Sequence, residues 1–152
     1  MTRTTAREIA IQCSYSLGFT LDSAEALLAE RLTAECFSAW AEEDELYAEL
    51  PEKKEKAYIE GLVRGVGDHG PELDEYISRH AQNWKFERIP RIAAAIMRVA
   101  MYEILYMPQI PNGAAINEAV EIAKKYEDES VVAFINGILG SFVRAECPAE
   151  AE

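Results

Sequence analysis

Ile92-Ala93-Ala94-Ala95-Ile96-Met97-Arg98-Val99-Ala100-Met101-Tyr102-Glu103-Ile104-Leu105-Tyr106 is the stretch on which the fold turns. Its apolar residues fall on nearly every side of a helix, the pattern of a central helix surrounded by others. Ile89-Pro90 marks its start, because the residue before a proline disfavours helical backbone. Pro108 and the Pro111-Asn112-Gly113 turn mark its end. Arg98 and Glu103 interrupt the run, so even the most apolar part of the chain does not support a membrane span. No apolar segment follows Met1-Thr2-Arg3, so a signal peptide is not expected and the protein is expected to be cytoplasmic.

On both sides of this helix apolar residues recur with helical spacing, and no run alternates as a half-buried strand does. An all-α domain is therefore expected. Ala6, Ile9, Ala10, Cys13 and Leu17 form one face of a first helix that Gly18 ends. Asp22 followed three positions later by Glu25 reads as a capping box opening a second helix, with Leu27, Leu28 and Leu32 turned inward. Residues 37–50 are less regular and contain a break. A third helix over 52–70 carries Tyr58, Leu62, Val66 and His69 on one side, with Gly61 and Gly65 one turn apart, a spacing that permits close helix contact. Pro71 suits the first turn of the next helix, where Leu73, Tyr76, Ile77, His80 and Trp84 continue the buried stripe. After the central helix, Asn112 is the expected N-cap of its successor. The last helix, over 130–144, buries Val131, Ile135, Ile138 and Phe142. Gly137 lies inside it at a cost of about 1 kcal/mol relative to alanine, which suggests a backbone that another helix or a ligand approaches closely. Residues 147–152 are expected to fray.

A chain of 152 residues fits one domain. Cys13, Cys36 and Cys147 are odd in number and far apart, which fits reduced thiols better than a disulfide framework or a zinc site. The net charge of −12 repels RNA when the molecule is taken whole, since affinity for nucleic acid comes from Lys and Arg displacing counterions. Charge is uneven, however: over residues 80–112, Lys85, Arg88, Arg91 and Arg98 outnumber Glu87 and Glu103. The sequence offers no nucleophile with a base, no phosphate loop and no metal motif, so neither an enzyme nor a cofactor is expected. His69 and His80 read as structural residues and Glu42-Glu43-Asp44-Glu45 as a solvated loop.

Four motifs, in order, carry a resemblance. They are Ala6-Arg7-Glu8-Ile9-Ala10-Ile11-Gln12; Leu62-Val63-Arg64-Gly65-Val66 with His69 and Glu72-Leu73-Asp74; Ile96-Met97-Arg98-Val99-Ala100-Met101-Tyr102-Glu103-Ile104-Leu105-Tyr106; and Ala115-Ile116-Asn117-Glu118-Ala119-Val120-Glu121 followed by Phe134-Ile135-Asn136-Gly137-Ile138-Leu139. Together they resemble the NusB family of transcription antitermination factors. The resemblance implies a bundle of about seven helices in two packed subdomains, about 1–70 and 71–146, joined near Gly70-Pro71. It also implies a factor that binds boxA-type single-stranded RNA together with NusE, a small-subunit ribosomal protein, in the RNA polymerase antitermination complex, and so regulates transcription, including that of ribosomal RNA. The alternative is a helical interaction module or homodimer without RNA binding, motivated by the acidic charge.

Single-stranded RNA is bound by phosphate-facing cations combined with aromatic rings on which bases stack. Arg3 and Arg7, one turn apart, and Tyr15, two turns after Arg7, offer that combination. The resemblance assigns Arg7 and Tyr15 to RNA, adds Gln12, Phe134 and Asn136, and places the NusE surface at Trp84, Glu87 and Arg91. Each has a plainer alternative: Arg7 a surface contact or none, Gln12 a cap or a packing residue, Tyr15 a core-edge ring, Phe134 core, Asn136 a buried network. Three segments depart from the family pattern. Thr2-Arg3-Thr4-Thr5 carries fewer cations, Ala93-Ala94 replaces an acidic-basic pair, and Val131-Val132-Ala133 is apolar where polar RNA contacts are expected.

Overall fold

The computed structural model describes residues 1–82 and 84–147. Eight α-helices lie among them: α1 (Arg3–Leu17), α2 (Ala24–Arg31), α3 (Ala34–Trp40), α4 (Lys53–Asp68), α5 (Gly70–His80), α6 (Arg91–Tyr106), α7 (Asn112–Tyr126) and α8 (Glu129–Glu146). Single-turn 3-10 helices occupy Glu45–Tyr47 and Phe86–Arg88. The chain divides into two compact units, Met1–Asp68 and His69–Glu152. Of the tail expected to fray, residues 148–152 lie outside the described residues, and Cys147 is the C-cap of α8.

In the first unit α1 packs against α4, and α2 against both. Ile9, Ala10 and Ile11 of α1 and Ile59, Leu62 and Val63 of α4 supply the buried apolar surface. Thr2 caps α1, its hydroxyl accepting the Thr5 N–H at 3.0 Å. The expected capping box is displaced by one residue. Ser23, not Asp22, caps α2, accepting the Ala26 N–H at 3.1 Å, while the Asp22 N–H donates to the Thr20 hydroxyl. Glu25 instead pairs with Arg64 on α4. The additional helix has a local cause: Thr33 accepts the Cys36 N–H at 3.1 Å and starts α3 directly after α2 has ended at Leu32. The acidic loop is tied down as well, since Asp44 accepts the Leu46 N–H at 2.9 Å and caps the 3-10 turn. Gly65 is buried, but a Cβ on Gly61 would meet nothing, so the two glycines do not form one close-contact seam. Burial pushes the Cys13 thiol up to about 11.

The second unit is built around α6, against which α5, α7 and α8 pack. Ala93, Ala95, Ile96, Met97 and Met101 are fully buried, which is what its all-round apolar sequence requires. Arg98 ties α6 to α5 through Asp74 at 2.5 Å, and His80 ties α5 to α8 through the Ser141 hydroxyl at 2.7 Å. Leu73 and Ile77 complete the core side of α5. The buried stripe ends with that helix. Trp84 lies past its last residue, His80, and is exposed, because helical spacing no longer governs which way its side chain turns.

Asn112 is the first residue of α7 rather than its N-cap; Pro111 holds the cap position and Asn112 turns inward. Proline's fixed φ leads the chain into the helix one residue earlier than the asparagine suggests. Asp128 caps α8, its carboxylate accepting the Val131 N–H at 3.0 Å and the Ser130 hydroxyl at 2.7 Å, and these bonds hold its carboxyl below the usual range. A Cβ on Gly137 would meet no atom. Among the described residues, no other helix makes the close approach that its position suggested.

Candidate nucleic-acid interface

The first unit carries four of the expected RNA contacts, all on α1. Arg3, in the first turn, is exposed, and its guanidinium carbon sits 3.9 Å above the ring of Tyr58 on α4. That distance is well inside the range of a cation–π contact. Arg7 is one turn on but only 4% exposed, with its guanidinium carbon 5.8 Å from the same ring. It therefore differs from the phosphate-facing cation that its spacing suggested. The interior of the first unit encloses it, beside Tyr58. Gln12 is half-buried and accepts a hydrogen bond from the Tyr47 hydroxyl, so it packs locally.

Tyr15, near the end of α1, is 36% exposed, and its ring lies 4.9 Å from that of Phe19, which is 56% exposed. At the usual helical rise, Arg3 and Tyr15 are about 18 Å apart along α1. A cation at one end and a ring pair at the other thus offer both elements of single-strand binding. Sequence reading missed Tyr58 and Phe19. Tyr58 falls on the core stripe of α4, where a ring reads as packing, and Phe19 lies outside any periodic segment.

The second unit carries the remaining two, on α8. Phe134 is half-buried, and its ring lies 4.7 Å from that of Trp84 at an interplanar angle of 39°. Two residues assigned to different partners are thus neighbours. Asn136 is exposed, not part of a buried network, and helps line a groove of about 670 Å³ along α7 and α8. Ile116, Val120, Val132 and Ala133 make this groove largely apolar, with Asn117 and Lys124 among its polar lining. Glu87, in the 3-10 turn, and Arg91, the first residue of α6, are both exposed. Among the described residues no group of three or more His, Cys, Asp or Glu is arranged to hold a metal, and no helix is long and apolar enough to cross a membrane.

The model of the NusB family matches residues 4–144. The transcription antitermination protein NusB of Thermoanaerobacter sp. (strain X514) is 48% identical over 109 residues, 72% of this chain and 77% of the relative. That of Carboxydothermus hydrogenoformans is 39% identical over 144 residues, 92% of this chain and 91% of the relative. The solved structure of T. maritima NusB aligns over 99% of this chain and 96% of its own, with a TM-score of 0.80 at 29% identity. With a family model covering nearly its whole length, and an all-helical fold shared with a solved member, this chain belongs to the NusB family of transcription antitermination proteins.

Proposed function

We propose that this protein acts in transcription antitermination as a binding adaptor in the cytoplasm, making and breaking no covalent bond. It holds boxA-type single-stranded RNA together with NusE and enters the RNA polymerase antitermination complex in that form. The observation that carries the RNA reading is that one core helix presents the exposed Arg3 guanidinium, over the α4 ring of Tyr58, near one end and the exposed Tyr15 ring, against Phe19, near the other. Asn136 supplies a further polar contact from α8, and Arg7 acts as a positioning residue. Glu87 and Arg91, both exposed, are the contacts to NusE.

The charge of −12 sets how this works. A strongly acidic chain attracts a basic protein partner, and that partner supplies the phosphate contacts that this chain lacks. RNA affinity of the chain alone is then weak, and that of the complex falls steeply with salt.

The test is a fluorescence-anisotropy titration of labelled boxA RNA, with and without NusE, at several salt concentrations. Arg3→Ala is expected to weaken binding by the complex and to reduce the magnitude of the log–log salt slope by about 1, as loss of one phosphate contact does, with an unchanged far-UV circular dichroism spectrum. Absence of any RNA signal, with or without NusE, defeats the reading.

A further inference from the structure

We propose that Trp84, backed by Phe134, is a base-stacking platform for single-stranded RNA on the second unit, with Lys85 and Arg88 as its phosphate contacts. The proposal rests on the RNA reading above and extends it to a residue that the family resemblance assigned to the protein partner.

Trp84 is 42% exposed although it is the largest apolar side chain of its unit. The ring contact with Phe134, at 4.7 Å between centroids, holds the indole against α8 while nearly half of its surface meets solvent. A ring supported on one side and accessible on another is what a stacked base requires, and every base has a face to offer it.

Charge separates RNA from protein as the occupant. Along 84–88 the exposed charged residues are Lys85, Glu87 and Arg88, two cations against one carboxylate, within a chain whose net charge is −12. A local positive surplus attracts phosphate and disfavours a basic protein. The expected division is therefore Trp84, Lys85 and Arg88 toward nucleic acid, with Glu87 turned to the basic partner.

The experiment uses the full chain in complex with NusE and a labelled single-stranded boxA RNA. Trp84→Leu is expected to weaken RNA binding about tenfold, the size of losing one stacked base, without changing the salt slope. Trp84→Phe retains most of the affinity. As a direct readout, Trp40→Phe leaves Trp84 as the only tryptophan, and its emission is expected to be quenched when RNA is added.

Wild-type RNA affinity in Trp84→Leu, with unquenched Trp84 emission, overturns the proposal while binding that still depends on Arg3 leaves the wider reading intact. Equal loss of NusE affinity in Trp84→Leu, with the RNA affinity of the preformed complex unchanged, also overturns it and assigns the indole to the protein. If wild-type complex binds no RNA, both fall together. Should Trp84→Leu fail to fold, Lys85→Ala with Arg88→Ala is read instead; a reduced salt slope supports the proposal and an unchanged one overturns it.

Discussion

The two units solve the same problem in opposite ways. In the first, α1 is buried through its middle, from Ala6 to Ile11, and exposes its ends, so Arg3 and Tyr15 sit on the helix that also forms the core. In the second, α6 is enclosed along most of its length, and the candidate RNA contacts lie on flanking pieces, the turn carrying Trp84 and α8 carrying Phe134 and Asn136. A core helix lends its stiffness to whatever projects from its ends. A turn between helices, here held by its own backbone bonds, the Trp84–Phe134 rings and the Arg98 guanidinium 5.8 Å from the Phe86 ring, has less support, and a functional group placed there is more easily shifted by a substitution.

The strongest way to break this comparison is to attack the second core and its edge separately. Phe142 is fully buried on α8, with its ring 5.0 Å from that of Tyr76, and Phe142→Ala is expected to cost about 3–5 kcal/mol in urea unfolding. Phe134→Ala, half-buried, should cost clearly less and act mainly on RNA binding. Equal losses would make Phe134 part of the core and abolish the distinction.

A smaller effect sharpens the account of α1. The Cys13 thiol is raised by burial from its ordinary 9.0 to about 11, so the folded state favours the protonated form. The stability it contributes is complete below its unfolded value and is lost as pH rises through the folded one. Between pH 8 and 10 wild type should lose about 1 kcal/mol more than Cys13→Ala. Identical pH slopes for the two would show that α1 is not as closed there as its packing implies.

Two local substitutions rank below this. Ser23→Ala is expected to cost about 1 kcal/mol as the loss of an N-cap, and Asp22→Ala almost nothing; the reverse order would restore the capping box read from the sequence. Gly137→Ala, where a Cβ meets no atom, should raise stability by about 0.5–1 kcal/mol. A matching fall in RNA affinity would show that a ligand comes close to that backbone.

What the sequence made legible follows from which forces are periodic. The central helix, the α4 and α8 stripes and the helix-starting proline at position 71 were readable because burial repeats every three to four residues. Family membership was readable because four motifs stood in order. Caps were less so: Asp22 and Ser23 both have the right chemistry, and only the path of the chain decides between them, while at α7 the cap position falls to Pro111, which has no side-chain acceptor at all. The site was half legible. Arg3, Tyr15 and Asn136 are exposed, as the proposed RNA contacts would have to be, but the sequence did not show that Arg7 turns inward or that Trp84 and Phe134 meet across 50 residues of chain. Such pairings are tertiary facts, and no local period encodes them.

The stacking of Arg3 on Tyr58 carries one last consequence. A guanidinium rests on an aromatic ring by its flat face, whereas its hydrogen-bond donors radiate from the rim, so it grips a ring and a phosphate at once. Held in place beforehand, it would surrender little rotational freedom to an RNA strand bound as proposed. Lysine at position 3 would preserve the charge while losing that readiness, which makes the ring beneath the arginine as much a part of the grip as the charge above it.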